Sequence, residues 1–220
     1  MRLNKFLSLH TELSRRSADK AVENGRVIIN QKPAKLGDQV KGNDIVFLDN
    51  RKINSNITEI KTIILNKPIG YVCSKNGQGS RTVYELLPDE YQNLKTVGRL
   101  DKWSSGLLLL TNDGDLANQL THPKFGKVKV YEIELNKNLE PLHQQMISDI
   151  GISLEDGISK LVIEKINRDK NLRITMKEGK NRQIRRTFSA LGYDVKKLNR
   201  VSFGDYKLGD LKTGEIFLID

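Results

Sequence analysis

Apolar residues first recur at helical spacing at Leu3, Phe6 and Leu7, which predicts a short amphipathic helix. Ser14 then precedes the stretch Arg15–Gly25. Its hydroxyl can cap a second helix, and Gly25 can end that helix in left-handed backbone. Val27-Ile28-Ile29 and Asp44–Leu48 predict short strands, with Asn30-Gln31-Lys32-Pro33 as a turn after the first. Residues 49–60 are polar without clean periodicity and read as a linker. A buried strand, Lys61–Asn66, follows and runs into the turn Lys67-Pro68-Ile69-Gly70; Gly70–Ser74 reads as strand again.

Leu107–Leu110 predicts a strand buried on both faces, stopped by Asn112-Asp113-Gly114. Asp115 is expected to cap a short helix through Leu116, Ala117 and Leu120. Lys129–Leu135 alternates, with Tyr131, Ile133 and Leu135 on one face. Glu140-Pro141 opens a helix carrying Leu142, Met146 and Ile147. Leu161–Ile163 and Leu172–Met176 are further strands, and Asn181–Leu191 reads as a helix ended by Gly192. The pattern describes an α+β chain. A small helix-rich N-terminal domain (residues 1–48) and a linker (49–60) precede a mixed, largely antiparallel-sheet domain (61–220).

Composition narrows the partners. The 220 residues are 37% hydrophobic and 29% charged, which suits a soluble globular protein. Lys and Arg outnumber Asp and Glu by 37 to 27, and a net charge of +10 favours a polyanionic partner over a neutral one. A membrane surface is the rival polyanion, but no long basic amphipathic stripe or lipidation signal appears. Leu107–Leu110, the longest aliphatic run, is far shorter than a membrane span. Met1–Lys5 lacks the apolar stretch of a secretory signal, so a cytoplasmic location is expected. The lone cysteine, Cys73, excludes an intramolecular disulfide and a cysteine-rich zinc site, and reads as a packed thiol. His10, His122 and His143 are too scattered to suggest a metal cluster.

Candidate chemistry centres on Gly98-Arg99-Leu100-Asp101-Lys102-Trp103-Ser104-Ser105-Gly106, which leads into Leu107–Leu110 and Thr111-Asn112-Asp113-Gly114. One carboxylate, Asp101, stands before a serine-glycine turn, with Arg99 two residues earlier. The segment resembles the nucleophile motif of the RsuA-type pseudouridine synthases, which isomerise uridine within ribosomal RNA. The resemblance implies Asp101 as nucleophile, attacking the substrate or stabilising the sugar cation, with no cofactor. Such a carboxylate needs a nearby cation to stay ionised in a pocket.

A second segment, Glu178-Gly179-Lys180-Asn181-Arg182-Gln183-Ile184-Arg185-Arg186, supplies that cation. On a helix Arg182, Arg185 and Arg186 share a face. The resemblance gives Arg185 first claim on Asp101 and Arg182 second; an exposed basic helix is the plainer alternative. Tyr131 lies in Lys129-Val130-Tyr131-Glu132-Ile133, which matches the family's tyrosine-bearing strand. There it would stack on the uracil and assist proton transfer, where a strand tyrosine is otherwise simply core. Arg99, Lys180 and Arg182 are expected to contact RNA, Arg99 at a phosphate or in the space of an extruded nucleotide.

The first domain resembles the small RNA-binding domain shared with the fourth small-subunit ribosomal protein. Ser14-Arg15-Arg16, Gly25-Arg26-Val27 and Gly37-Asp38-Gln39-Val40 carry that match. It implies that Arg15, Arg16, Lys20, Arg26 and Lys32 meet phosphates. Four departures from the family patterns stand out: Gln31 replaces a frequent glycine, Ser104 a threonine, Thr187 a methionine, and Trp103 is bulky beside the nucleophile. Thr187 is expected to change packing only.

The expected function is cofactor-independent isomerisation of a ribosomal RNA uridine. Large-subunit RNA is favoured, with the small subunit as the alternative. The expected partner is ribosomal RNA or a pre-ribosomal particle, with the protein as a monomer. Two rivals share the scaffold: a noncatalytic RNA-binding or ribosome-assembly factor, and an enzyme modifying transfer RNA.

Overall fold

The computed structural model describes residues 1–54, 59–166 and 170–219. The chain divides into two compact units, Met1–Ile60 and Lys61–Asp220.

In the first unit, α1 (Leu3–His10) buries Leu3, Phe6 and Leu7. Helix α2 (Arg15–Glu23) buries Ala18, Ala21 and Val22 against them. Ser14 caps α2 by accepting from the Ser17 amide, and Gly25 follows its end at φ 69°. Strands β1 (Val27–Ile29), β2 (Lys32–Pro33), β3 (Val46–Leu48) and β4 (Arg51–Lys52) pair antiparallel in the order β2-β1-β3-β4. Asn30 and Gln31 both take positive φ, 47° and 68°, and form the two-residue turn between β1 and β2. The expected linker does not begin at residue 49. Asp49 and Asn50, also left-handed, turn the chain so that β4 pairs with β3. Residues 55–58 of that linker lie outside the described residues.

The second unit is built on β5 (Thr62–Lys67), β6 (Lys95–Val97), β7 (Ser105–Thr111), β8 (Lys129–Leu135), β9 (Ile152–Leu154), β10 (Gly157–Ser159), β11 (Val162–Lys165), β12 (Asn171–Met176), β13 (Val195–Phe203), β14 (Tyr206–Lys207) and β15 (Ile216–Ile219). Among the described residues the main sheet runs β11-β12-β8-β13-β7-β5-β15, with β14 on β13 and β6 on β7; β9 and β10 form a separate hairpin. Leu107–Leu110 are wholly buried in the middle of this sheet, because both faces are covered. Tyr131, Ile133 and Leu135 share a buried face, as the alternation requires.

Among the described residues three α-helices flank the sheet: α3 (Gly114–Thr121), α4 (Pro141–Gln145) and α5 (Gln183–Ser189). Asp113, not Asp115, caps α3, accepting from the Asp115 and Leu116 amides. A π-helical turn, Met146–Ile150, extends α4 and buries Ile147, while Leu142 faces solvent. Helix α5 is shorter than its pattern suggests, because Arg182 before it is left-handed at φ 46°. Cys73 is buried, but Val72–Thr82 is a single bridge, so Gly70–Ser74 forms no strand. Among the described residues no helix is long and apolar enough to cross a membrane.

One pairing sets the site. Strands β7 and β13 run parallel, with Ser105 beside Asn199 and Gly106 beside Arg200. Gly106 has φ 97°, and a Cβ there would collide with the Arg200 backbone, so only glycine allows this approach. Arg200 in turn pairs with Tyr131 of β8. The residues entering β7 therefore lie beside the row that carries Tyr131 and Arg200.

Candidate active site

Asp101 sits in the turn that enters β7, and that turn is held by its carbonyls. The Asp101 carbonyl accepts from the Ser104 amide at 3.0 Å and from Lys67 Nζ at 3.2 Å. Lys67 Nζ also donates to Ser104 O at 2.7 Å and Pro68 O at 3.0 Å. Lys102 O accepts from the Gly70 amide at 2.7 Å, and Trp103 O from Arg185 Nη2 at 2.7 Å. Just upstream, Cys73 Sγ lies 3.3 Å from both the amide and the carbonyl of Leu100. Every carbonyl from residue 100 to 104 thus has a donor, which fixes where the Asp101 side chain leaves the backbone.

Lys67 ends β5 and is fully buried. Desolvation lowers its pKa from 10.5 to about 8, against the opposing pull of Cys73 and Asp101. Burial also raises the Cys73 thiol above its ordinary value, in keeping with a packed thiol.

A cleft of about 790 Å³ opens above the turn. Asp101, with its side chain 35% exposed, forms part of its wall. Tyr131, Arg99, Lys180 and Arg182 line the same cleft, so four sequence-predicted residues join Asp101 there. Arg182 Nη1 stands 3.9 Å from Asp101 Oδ2.

Arg185 does not take that place. Its guanidinium donates to Val195 O at 2.6 Å and to Trp103 O, and it lines a different hollow behind the turn. The reason is local. Left-handed backbone at Arg182 takes that residue off the helical face, so the two arginines leave α5 in different directions. Burial lowers the Arg185 pKa, with Arg182 adding to the effect and Asp101 opposing it. Arg185 therefore positions the turn, while Arg182 faces the carboxylate.

Other predicted contacts are divided. Lys180 Nζ donates to Ile158 O at 2.9 Å and pairs with Glu178 at 3.6 Å. In the first unit Arg15, Arg16, Lys20 and Lys32 are exposed. Arg26 is exposed too and pairs with Asp49, its Nε donating to Oδ1 at 2.7 Å. Thr187 does more than pack. Its hydroxyl donates to Gln183 O and meets Ser159 Oγ, each at 2.8 Å, and Gln183 Nε2 donates to the same Ser159 oxygen at 3.0 Å. Gln183 Oε1 accepts from the Lys180 amide, so this buried network braces the turn that presents Arg182.

Sequence reasoning gave Arg200 no part in the cleft and Lys129 only a weaker claim, facing RNA or solvent. Lys129 lines the cleft, with its Nζ 3.2 Å from Glu178 O, and burial lowers its pKa. Arg200 is 2% exposed, with Nε donating to Leu107 O at 2.8 Å and the guanidinium 4.8 Å from the Phe203 ring centroid. Its Nη2 and the buried Ser104 Oγ, both in cleft-lining residues, have no hydrogen-bond partner among the described residues. Alternation could have flagged Lys129 through Tyr131. Glu132, on the other face, pairs instead with Arg173 at 2.9 Å. Arg200 has no local signal, because it reaches the site only through the β13 pairings.

An accessible carboxylate, a tyrosine and facing cations share a basic cleft on a mixed and mainly antiparallel sheet. The RNA pseudouridylate synthase family matches residues 61–190, and the S4 domain matches residues 1–46. The dual-specificity RNA pseudouridine synthase RluF of Escherichia coli (strain K12) is 36% identical over 218 residues, spanning 98% of this chain and 74% of its own length. The ribosomal large subunit pseudouridine synthase B of Bacillus subtilis (strain 168) is 34% identical over 222 residues, 97% and 90% of the respective chains. A crystal structure of a pseudouridylate synthase superposes with a TM-score of 0.71 at 31% identity, covering 100% of this chain and 96% of its own. The chain belongs to the RNA pseudouridylate synthase family, with an N-terminal S4 domain, and is an RNA pseudouridine synthase, an isomerase.

Proposed function

We propose that the protein converts a uridine of large-subunit ribosomal RNA to pseudouridine, with Asp101 as nucleophile. The observation that carries this reading is the solvent-accessible Asp101 carboxylate in the wall of a 790 Å³ cleft, 3.9 Å from Arg182 and sharing that cleft with Tyr131. The Bacillus relative's name supports the choice of subunit.

The reaction is atom-neutral and redox-neutral. The C1′–N1 bond breaks with its electron pair passing to the uracil, the base turns, and C5 bonds to C1′. The C5 proton leaves and N1 ends protonated. Asp101 attacks the sugar or stabilises its cation while the base is detached. Arg182 balances the carboxylate's charge. Tyr131 stacks on the uracil and assists the proton transfers. Everting the base costs on the order of a few kcal/mol, which the basic cleft offsets through phosphate contacts at Arg99 and Lys180. Residues 1–48 dock the RNA through Arg15, Arg16, Lys20 and Lys32, and residues 61–220 carry out the chemistry. In this reading the protein acts as a cytoplasmic monomer on ribosomal RNA or a pre-ribosomal particle.

Mapping pseudouridine in ribosomal RNA from cells with and without the protein tests the assignment. The expected result is loss of a specific large-subunit pseudouridine. An unchanged map from cells in which the protein still binds ribosomal RNA would leave a noncatalytic RNA-binding factor.

A further inference from the structure

Trp103 is the chain's sole tryptophan and is 59% exposed, although tryptophan is ordinarily buried over most of its surface. It stands two residues after Asp101 on a backbone held at every carbonyl, its own by Arg185 at 2.7 Å. Lys102 Nζ lies 5.6 Å from the indole centroid and donates to Ser80 Oγ at 3.2 Å. Asp101, Lys102 and Ser104 line the catalytic cleft, but Trp103 does not. Behind the turn, a second hollow of about 480 Å³ is lined by Arg182, Arg185, Arg186 and Lys196, with Asp194 as its acidic member. Arg182 lines both spaces. Arg186 pairs with Asp156 at 2.7 Å and Lys196 with Asp194 at 3.6 Å, yet the balance among the lining residues stays positive.

A fixed, exposed aromatic face flanked by cations is how proteins hold single-stranded nucleic acid: the ring takes a base and the charges take its phosphates. The indole does not line the cleft that would receive the everted uracil, so a different base is its fitting occupant. We propose that Trp103 is a stacking platform for an unpaired base adjacent to the target uridine in the substrate RNA. The neighbouring phosphates would lie over the basic hollow. This rests on the function proposed above, and it adds a second base-recognition point that depends on a residue where this chain departs from its family's pattern.

The indole reports on itself, since no other tryptophan contributes to the emission. A hairpin cut from large-subunit RNA around the mapped uridine is titrated into wild-type protein, following tryptophan fluorescence and, in parallel, filter binding and pseudouridine formation. Quenching that saturates together with binding is expected. W103A should weaken binding roughly tenfold and W103F less than about threefold, with the rate at saturating protein little changed. Replacing the neighbouring base by an abasic nucleotide should weaken wild-type binding but not that of W103A. RNA that is bound and isomerised without any change in emission, with W103A binding as wild type does, would overturn the platform alone and point the indole to a protein partner. RNA that is neither bound nor isomerised would remove the platform and the proposed function together.

Discussion

Asp101 and Arg182 meet at 3.9 Å with side chains 35% and 46% exposed. At that exposure an ion pair contributes only about 0–1 kcal/mol to stability, so its importance lies in the charge presented to a reacting nucleotide. R182Q should melt within about 2 °C of wild type while kcat/KM falls by about 10–100-fold. Arg185 differs in kind. It bridges two carbonyls from two separate nitrogens, where a lysine offers only one. R185K should therefore lose about 1.5–3 kcal/mol of stability together with activity, measured by chemical denaturation beside turnover. A stable, fully active R185K would show that the turn does not depend on that bridge. The sequence placed the two arginines in one segment and ranked Arg185 ahead of Arg182 beside Asp101, where Arg182 stands at 3.9 Å. Helical spacing assumes right-handed backbone, and nothing in Asn181-Arg182-Gln183 announces the left-handed residue that separates them.

Strand β5 delivers Lys67 beneath the Asp101 turn, and its burial has a pH consequence. The folded lysine titrates at about 8 and the unfolded one near 10.5. Between those values the unfolded chain binds more protons, so this group makes stability rise with pH. Its destabilising effect is fully present below pH 8 and fades as the pH climbs towards 10.5. Urea unfolding of wild type and K67M should show the difference between them shifting in favour of wild type across that window; a flat difference would contradict a buried, depressed lysine. K67M should also slow turnover, since the carbonyls of Asp101 and Ser104 lose a donor. At this scale much was legible. Alternation placed Tyr131, Ile133 and Leu135 on one face, and the aliphatic run marked the central strand. The parallel β7–β13 pairing was not, because it joins residues such as Gly106 and Arg200 that share no local pattern. Asp113 and Asp115 offered two possible caps, and only backbone geometry chose between them.

The whole molecule combines a small basic unit, Met1–Ile60, with a larger catalytic unit, Lys61–Asp220, under a net charge of +10. That division was readable from the change in patterning near residue 60, and the family from the motif around Asp101. Tertiary partners such as Lys67 and Arg200 were not, since a buried cation in a strand carries no mark of what it holds. The proposed reaction turns on the Asp101 carboxylate reacting with the sugar, and Asp101→Asn removes its charge with little change in shape. Pseudouridine formation on bound ribosomal RNA by this variant is the most direct measurement. We predict no product, while the RNA is held at least as tightly as by wild type because one negative charge has left a basic cleft. Turnover within about tenfold of wild type would contradict covalent or electrostatic catalysis by Asp101.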